Sequence, residues 1–165
     1  MAVTVTNNQV RVYVNPKWFG YFYDTTDQTN AGATSVNKMK FNTTDMSNGV
    51  SIASDSRITI ANAGIYNIQF SAQFDKTDSG DDVVDIWLCK NGNNVAFSNT
   101  QFTLIGNNGK HVAAWNLFVN AAAGDYYELC WSSSDTGVFI NTVAAAASPT
   151  RPAIPSVILS VNQIA

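Results

Sequence analysis

Residue types that carry chemistry are sparse in this chain. One histidine, His111, and one glutamate, Glu128, occur in 165 residues. A Ser-His-Asp or Cys-His site needs a histidine as base. His111 opens a strand candidate beside the turn Gly106–Lys110, where a solvated imidazole is the ordinary state. A glycosidase needs two carboxylates placed across a sugar. Asp81, Asp82 and Asp85 are close in sequence, but they fall on a hydrophilic loop and the strand after it. Zinc wants clustered Cys and His, and there is no such cluster. Cys89 and Cys130 sit singly inside strand candidates and read as small buried residues; a disulfide is the alternative. No phosphate-binding or dinucleotide glycine pattern occurs. Asp75, Asp78, Asp81 and Asp82 could supply calcium with carboxylate oxygens, but they lack EF-hand spacing. A solvated hairpin loop is the simpler reading of that run. No cofactor is expected, and the chain reads as a non-enzyme.

The bulk composition removes further classes. Net charge is −3, and nine Lys and Arg are scattered along the chain. No basic stripe exists to neutralise phosphates, so nucleic acid is not an expected partner. No apolar run reaches the roughly 18 to 20 residues of a membrane span. The first residues lack the charged and apolar regions of a secretory signal, so synthesis in the cytosol is expected. Hydrophobic residues make up 45% and charged residues only 13%, about half the usual globular share of roughly 25%. Thr, Val, Ile, Asn and aromatics dominate, and these suit strands and turns.

The elements follow from period-two patterns. Residues 64–74 are the clearest case. Tyr66, Ile68, Phe70, Ala72 and Phe74 fall on one face, and Asn67, Gln69, Ser71 and Gln73 on the other. Asn91-Gly92 marks a hairpin between Val83–Lys90 and a strand over Val95–Ser98. Further strands are expected at 50–54, 57–60, 102–105, 111–120, 126–132, 138–142 and 156–164. An earlier pair flanks the turn Asn7-Asn8. The alanine run at 144–147 has room for one helical turn at most, because Pro149, Pro152 and Pro155 follow. The reading is an all-β antiparallel sandwich of about ten strands, with residues 1–35 as an arm or first strands and 36–165 as the jelly-roll domain.

Several strands are apolar on both faces, yet a two-sheet sandwich gives each strand one core face. The second face needs cover, either from the N-terminal aromatic segment or from another subunit. Trp87, Phe118 and Tyr126 are the expected subunit-interface residues.

Specific motifs add to this pattern. Gly64-Ile65-Tyr66, with Ile68 and Phe70 alternating after it, resembles the G-x-Y-x-F-x-F strand of the globular head of complement component one q. Ala123-Gly124-Asp125, followed by Tyr127 and Leu129, resembles a later strand of that family. Trp87–Gly92 resembles its hairpin turn, and 156–164 its closing strand. The ordered set spans residues 36–164. The resemblance implies a ten-stranded jelly roll of the tumour-necrosis-factor-like superfamily, packed as a homotrimer through aromatic-rich faces.

The Asn- and Thr-rich style is also similar to jelly-roll modules in virion proteins of tailed bacteriophages. That likeness implies a trimeric capsid decoration (cement) protein, made in the host cytoplasm and bound to the major capsid protein. The short stretch before the jelly roll favours a stand-alone trimer over a fibre. Trp18, Phe19, Tyr21, Phe22 and Tyr23 would then form a capsid-contacting or inter-subunit arm, or else simply a first strand. The alternative is a tail-fibre head that recognises a host glycan or receptor through loops 78–82 and 106–110. A depolymerase acting through Asp82 is the third and weakest reading.

Overall fold

The computed structural model describes residues 17–165, together with the backbone of the strands Ala2–Thr6 and Gln9–Tyr13. Those two strands pair antiparallel, and the expected turn at Asn7-Asn8 between them lies outside the described residues. The described residues contain strands, bridges and turns, with no helix. Ten principal strands build two sheets. They are β1 (Phe19–Asp24), β2 (Thr43–Asn48), β3 (Val50–Ala53), β4 (Arg57–Ile60) and β5 (Gly64–Lys76). β6 (Asp82–Lys90), β7 (Thr100–Leu104), β8 (Lys110–Ala121), β9 (Tyr126–Ser133) and β10 (Val157–Gln163) complete the set.

The first sheet runs β2-β1-β10-β5-β8, and the second runs β3-β4-β9-β6-β7, all antiparallel. This is a jelly-roll sandwich. Strand β5 organises it, because its alternation divides as the sequence indicates. Tyr66, Ile68, Phe70, Ala72 and Phe74 are buried, while Asn67, Gln69, Ser71 and Gln73 face outward. From the opposite sheet come Ile86, Leu88, Leu129 and Trp131. Phe74 meets Trp131 edge-on with ring centroids 5.4 Å apart, a geometry that sets a positive ring edge against a negative face.

The jelly roll begins ahead of residue 36. Strand β1 lies inside the first sheet, with β10 on one side and β2 on the other. Phe22 is fully buried in the core. Truncating a buried Phe of this kind costs about 3 to 5 kcal/mol, so this segment cannot lift away as an arm. Two other expectations change. Residues 95–98 are not a strand: Asn93–Asn94 pair with β6, and the chain then loops outward. The alanine run forms a two-residue hairpin strand, Ala146–Ala147 paired with Thr150–Arg151, instead of a helical turn.

The second faces of the strands are also partly resolved. On the second sheet, the chain's own loops supply the cover. Glu128 points away from the core yet is buried, with its carboxylate held by Lys38 Nζ at 2.8 and 2.9 Å and by Ser56 Oγ at 2.9 Å. This hydrogen bonding raises the Lys38 pKa. Beside it, Cys89 Sγ and Cys130 Sγ are free thiols 2.7 Å apart, and burial pushes the Cys130 thiol pKa up.

The β8–β9 turn is tied to the β6 hairpin by one carboxylate. Asp125 accepts from Lys90 Nζ at 2.7 Å, Asn91 Nδ2 at 2.8 Å and the Ala122 amide at 2.8 Å. These donors, Lys90 first, lower its pKa to about 2. A depressed carboxylate stabilises the fold above its unfolded pKa and loses that contribution as pH falls toward its folded value. Asp125→Asn should therefore cost about 1 kcal/mol at neutral pH. It should also flatten the fall in stability between pH 4 and pH 2, read by urea melts across that window.

Candidate functional site

The outer face of the first sheet is a broad surface that the strands position. Register places its side chains in rows across five strands. One row reads Phe118, Asn67, Asn162, Phe19, Asn48. The next reads Asn116, Gln69, Ser160, Tyr21, Met46, and a third reads Ala114, Ser71, Ile158, Tyr23, Thr43. None of these side chains carries a formal charge. Asp45 lies beside them at the irregular register on edge strand β2, and the Asp75–Lys110 ion pair sits two rows beyond the third. Phe118 is 64% exposed and Met46 54%. Beyond Tyr23 the face opens into a recess of about 510 Å³, walled by Val143, Ile154, Pro152 and Pro155.

A solvated sheet face ordinarily carries charges that keep it in water. The cores of protein interfaces lose charge and gain aromatics and Met. This face has the second character, with neutral amides such as the Asn116–Asn67 pair, 3.2 Å apart, supplying hydrogen-bonding groups. Its strand edges also matter: β8 and β2 end the strand order on this side.

The structure separates the expected interface residues. Phe118 lies on this face, whereas Trp87 and Tyr126 stand on the second sheet, on neighbouring strands β6 and β9. The three strands are therefore not adjacent, because β8 joins β5 and not β9. Tyr126 lies under the Arg57 guanidinium, 4.6 Å from ring centroid to Cζ. Of the N-terminal aromatics, Phe19, Tyr21 and Tyr23 lie on the neutral face. Phe22 is in the core, and Trp18 packs half-buried against it. The alternation of residues 18–23 carried that division, but Gly20 made the run look like a cluster instead of a strand.

The two loops expected to recognise a host surface meet at one end of the barrel, where Asp81 Oδ1 accepts the Gly106 amide at 2.9 Å. The acidic loop is organised by a cation that the chain itself provides. Lys76 is buried, and its ammonium contacts Asp82, Asp78 at 3.7 Å and the Gly80 carbonyl at 2.7 Å. Burial alone would lower its pKa; the surrounding carboxylates, Asp82 foremost, raise it above the usual lysine value. Asp78, Asp82 and Asp135 lie close enough together to hold a metal ion, but the Lys76 ammonium already contacts Asp82 and Asp78. His111 stacks on Phe102, ring centroids 4.3 Å apart.

No protein-family model matches the chain, and no curated protein matches it by sequence. Solved structures do match in fold. The crystal structure of murine APRIL aligns over 90% of this chain and 100% of its own, with TM-score 0.54 and 8% identity. The globular domain of zebrafish complement 1qA protein aligns over 91% and 97%, with TM-score 0.53 and 13% identity. At such identities the likeness establishes a jelly roll of the tumour-necrosis-factor and complement one q type, and nothing finer.

The Lys76 arrangement generates a test. Lys76→Ala leaves the buried Asp82 carboxylate without its cation, which is strongly destabilising. That variant should melt well below the parent, and calcium should raise its melting temperature while leaving the parent unchanged.

Proposed function

We propose that this chain is a non-enzymatic structural protein that assembles as a homotrimer through the neutral face of the first sheet. The observation that carries the reading is the absence of formal charge from three successive rows of that face, together with Phe19, Tyr21, Tyr23, Phe118 and Ile158. Placing a neutral, aromatic-bearing surface against other copies removes apolar area from water, worth about 25 cal/mol per Å². Closed cyclic symmetry lets identical patches satisfy one another without open-ended growth. In this reading Trp87 and Tyr126, on the second sheet, remain outside the central interface.

The biological setting proposed is the capsid of a tailed bacteriophage, with the trimer as a decoration protein on the major capsid protein. The Asn- and Thr-rich composition supports it. Its mechanism is mechanical. A trimer contacts several capsid subunits at once, and modest individual contacts gain through effective concentration. A receptor-recognising fibre head is the second reading, supported by the exposed loops and cleft on the remaining surface.

Sedimentation equilibrium tests the assembly. The parent should sediment at three times its 17.8 kDa chain mass. Tyr21→Arg and Ile158→Asp should each shift it to monomer while keeping the β-rich circular dichroism spectrum. A concentration-independent parent monomer rejects the trimer. Binding to purified capsids separates decoration from fibre head: decoration predicts saturable binding to capsids, and a fibre head predicts none.

A further inference from the structure

The second sheet carries a cleft of its own, on the side away from the neutral face. Its floor is Asp85 and Trp87 of β6 with Ser132 of β9. Val36 rims one side, and Asn94, Phe97 and Asn99 rim the other. The cleft measures about 400 Å³ and is shallow.

Phe97 is the anomaly that marks it. Its side chain is fully exposed, and its backbone φ is +62°. A bulky residue pays for this left-handed conformation. The loop is held there from both sides. The Val95 amide donates to the Leu88 carbonyl at 2.9 Å, and Ser98 Oγ accepts the Leu88 amide at 3.0 Å. Strain that is over-determined by its surroundings clusters at functional positions. An exposed Phe at such a site gains nothing for the fold.

The polar groups of the cleft are aimed as well. Trp87 Nε1 donates to Asn94 Oδ1 at 2.8 Å, which fixes the indole plane. Asp85 Oδ1 accepts from Asn99 Nδ2 at 2.9 Å and from Gln101 Nε2 at 3.2 Å. Among the described residues no side chain donates to Asp85 Oδ2. The cleft thus offers two aromatic rings, one oriented carboxylate and several amide and hydroxyl groups, with no cation.

We propose that this cleft binds a neutral saccharide of one or two pyranose units. The chemistry matches in three respects. The C–H face of a pyranose carries partial positive charge and lies well against the negative face of an aromatic ring. Adjacent sugar hydroxyls donate to a carboxylate and accept from amides. A carboxylate with no compensating cation disfavours sialylated or sulfated sugars. The size suits a small ligand, and the cleft itself is too shallow to seat a peptide's apolar anchor. The proposal stands whether the trimer decorates a capsid or heads a fibre.

Titration followed by NMR at the Trp87 indole N–H tests it. The neutral probes are methyl glucoside, methyl galactoside, lactose and maltose; sialyllactose is the anionic one. At least one neutral probe should shift that resonance saturably in the millimolar range, with sialyllactose binding no more tightly than lactose. Asp85→Asn should weaken binding. Phe97→Gly should weaken it roughly tenfold or more while melting no lower than the parent, because glycine accepts the left-handed backbone freely. No shift with any neutral probe, tightest binding by sialyllactose, or parent-like affinity in Phe97→Gly would each overturn the proposal.

Discussion

A two-layer sandwich provides one dry space, and every strand can turn only one face into it. This chain carries apolar residues on both faces of several strands, so the dry layer between its sheets cannot take them all. The rest of the structure answers that excess. Strand β5 shows the constraint in its simplest form: Tyr66, Ile68, Phe70 and Phe74 fill the core, and neutral Asn and Gln are left outside.

The two sheets answer differently. The second sheet is covered from within around Glu128 and the two cysteines. Lys38, Ser56 and the loop through Asn94 close over Glu128, Cys89 and Cys130, so even the single glutamate becomes an internal anchor. The first sheet has no such cover among the described residues. Three central rows of its outer face are free of formal charge, with aromatics set among amides and hydroxyls, and the Asp75–Lys110 pair lies at the far end of β5 and β8. A free monomer would gain from Lys or Glu at these positions. Their absence makes sense if the face is desolvated in the working form, where an unpaired charge is costly.

Much of this was legible in the sequence, and the failures have physical reasons. Period two over Gly64–Phe74 located the central strand, because alternation on that scale fits nothing but a half-buried strand. Phe118 was legible as a surface aromatic for the same reason, since Ala113, Trp115, Leu117 and Val119 had already claimed the inward face. Strand adjacency was not legible. Sequence order places β8 next to β9, while the jelly roll sends them to opposite sheets, which is why Trp87 and Tyr126 were grouped with Phe118. Residues 95–98 were misread as a strand because Val95 and Phe97 alternate with small residues. The anchoring by Leu88, which turns Phe97 outward, is a tertiary contact that no local pattern announces. Lys76 falls within the run 75–82 that reads as a solvated hairpin loop, and its burial cannot be read from spacing where the strand runs into a loop.

The central claim is that the neutral face of the first sheet is buried against other copies while the cleft of the second sheet stays open. Hydroxyl-radical footprinting of the assembled protein, read by mass spectrometry, reports both faces at once. The account predicts that Tyr21, Tyr23 and Phe118 are protected, with Phe97 oxidised rapidly. Rapid oxidation of Tyr21, Tyr23 and Phe118 at rates matching Phe97 would contradict it.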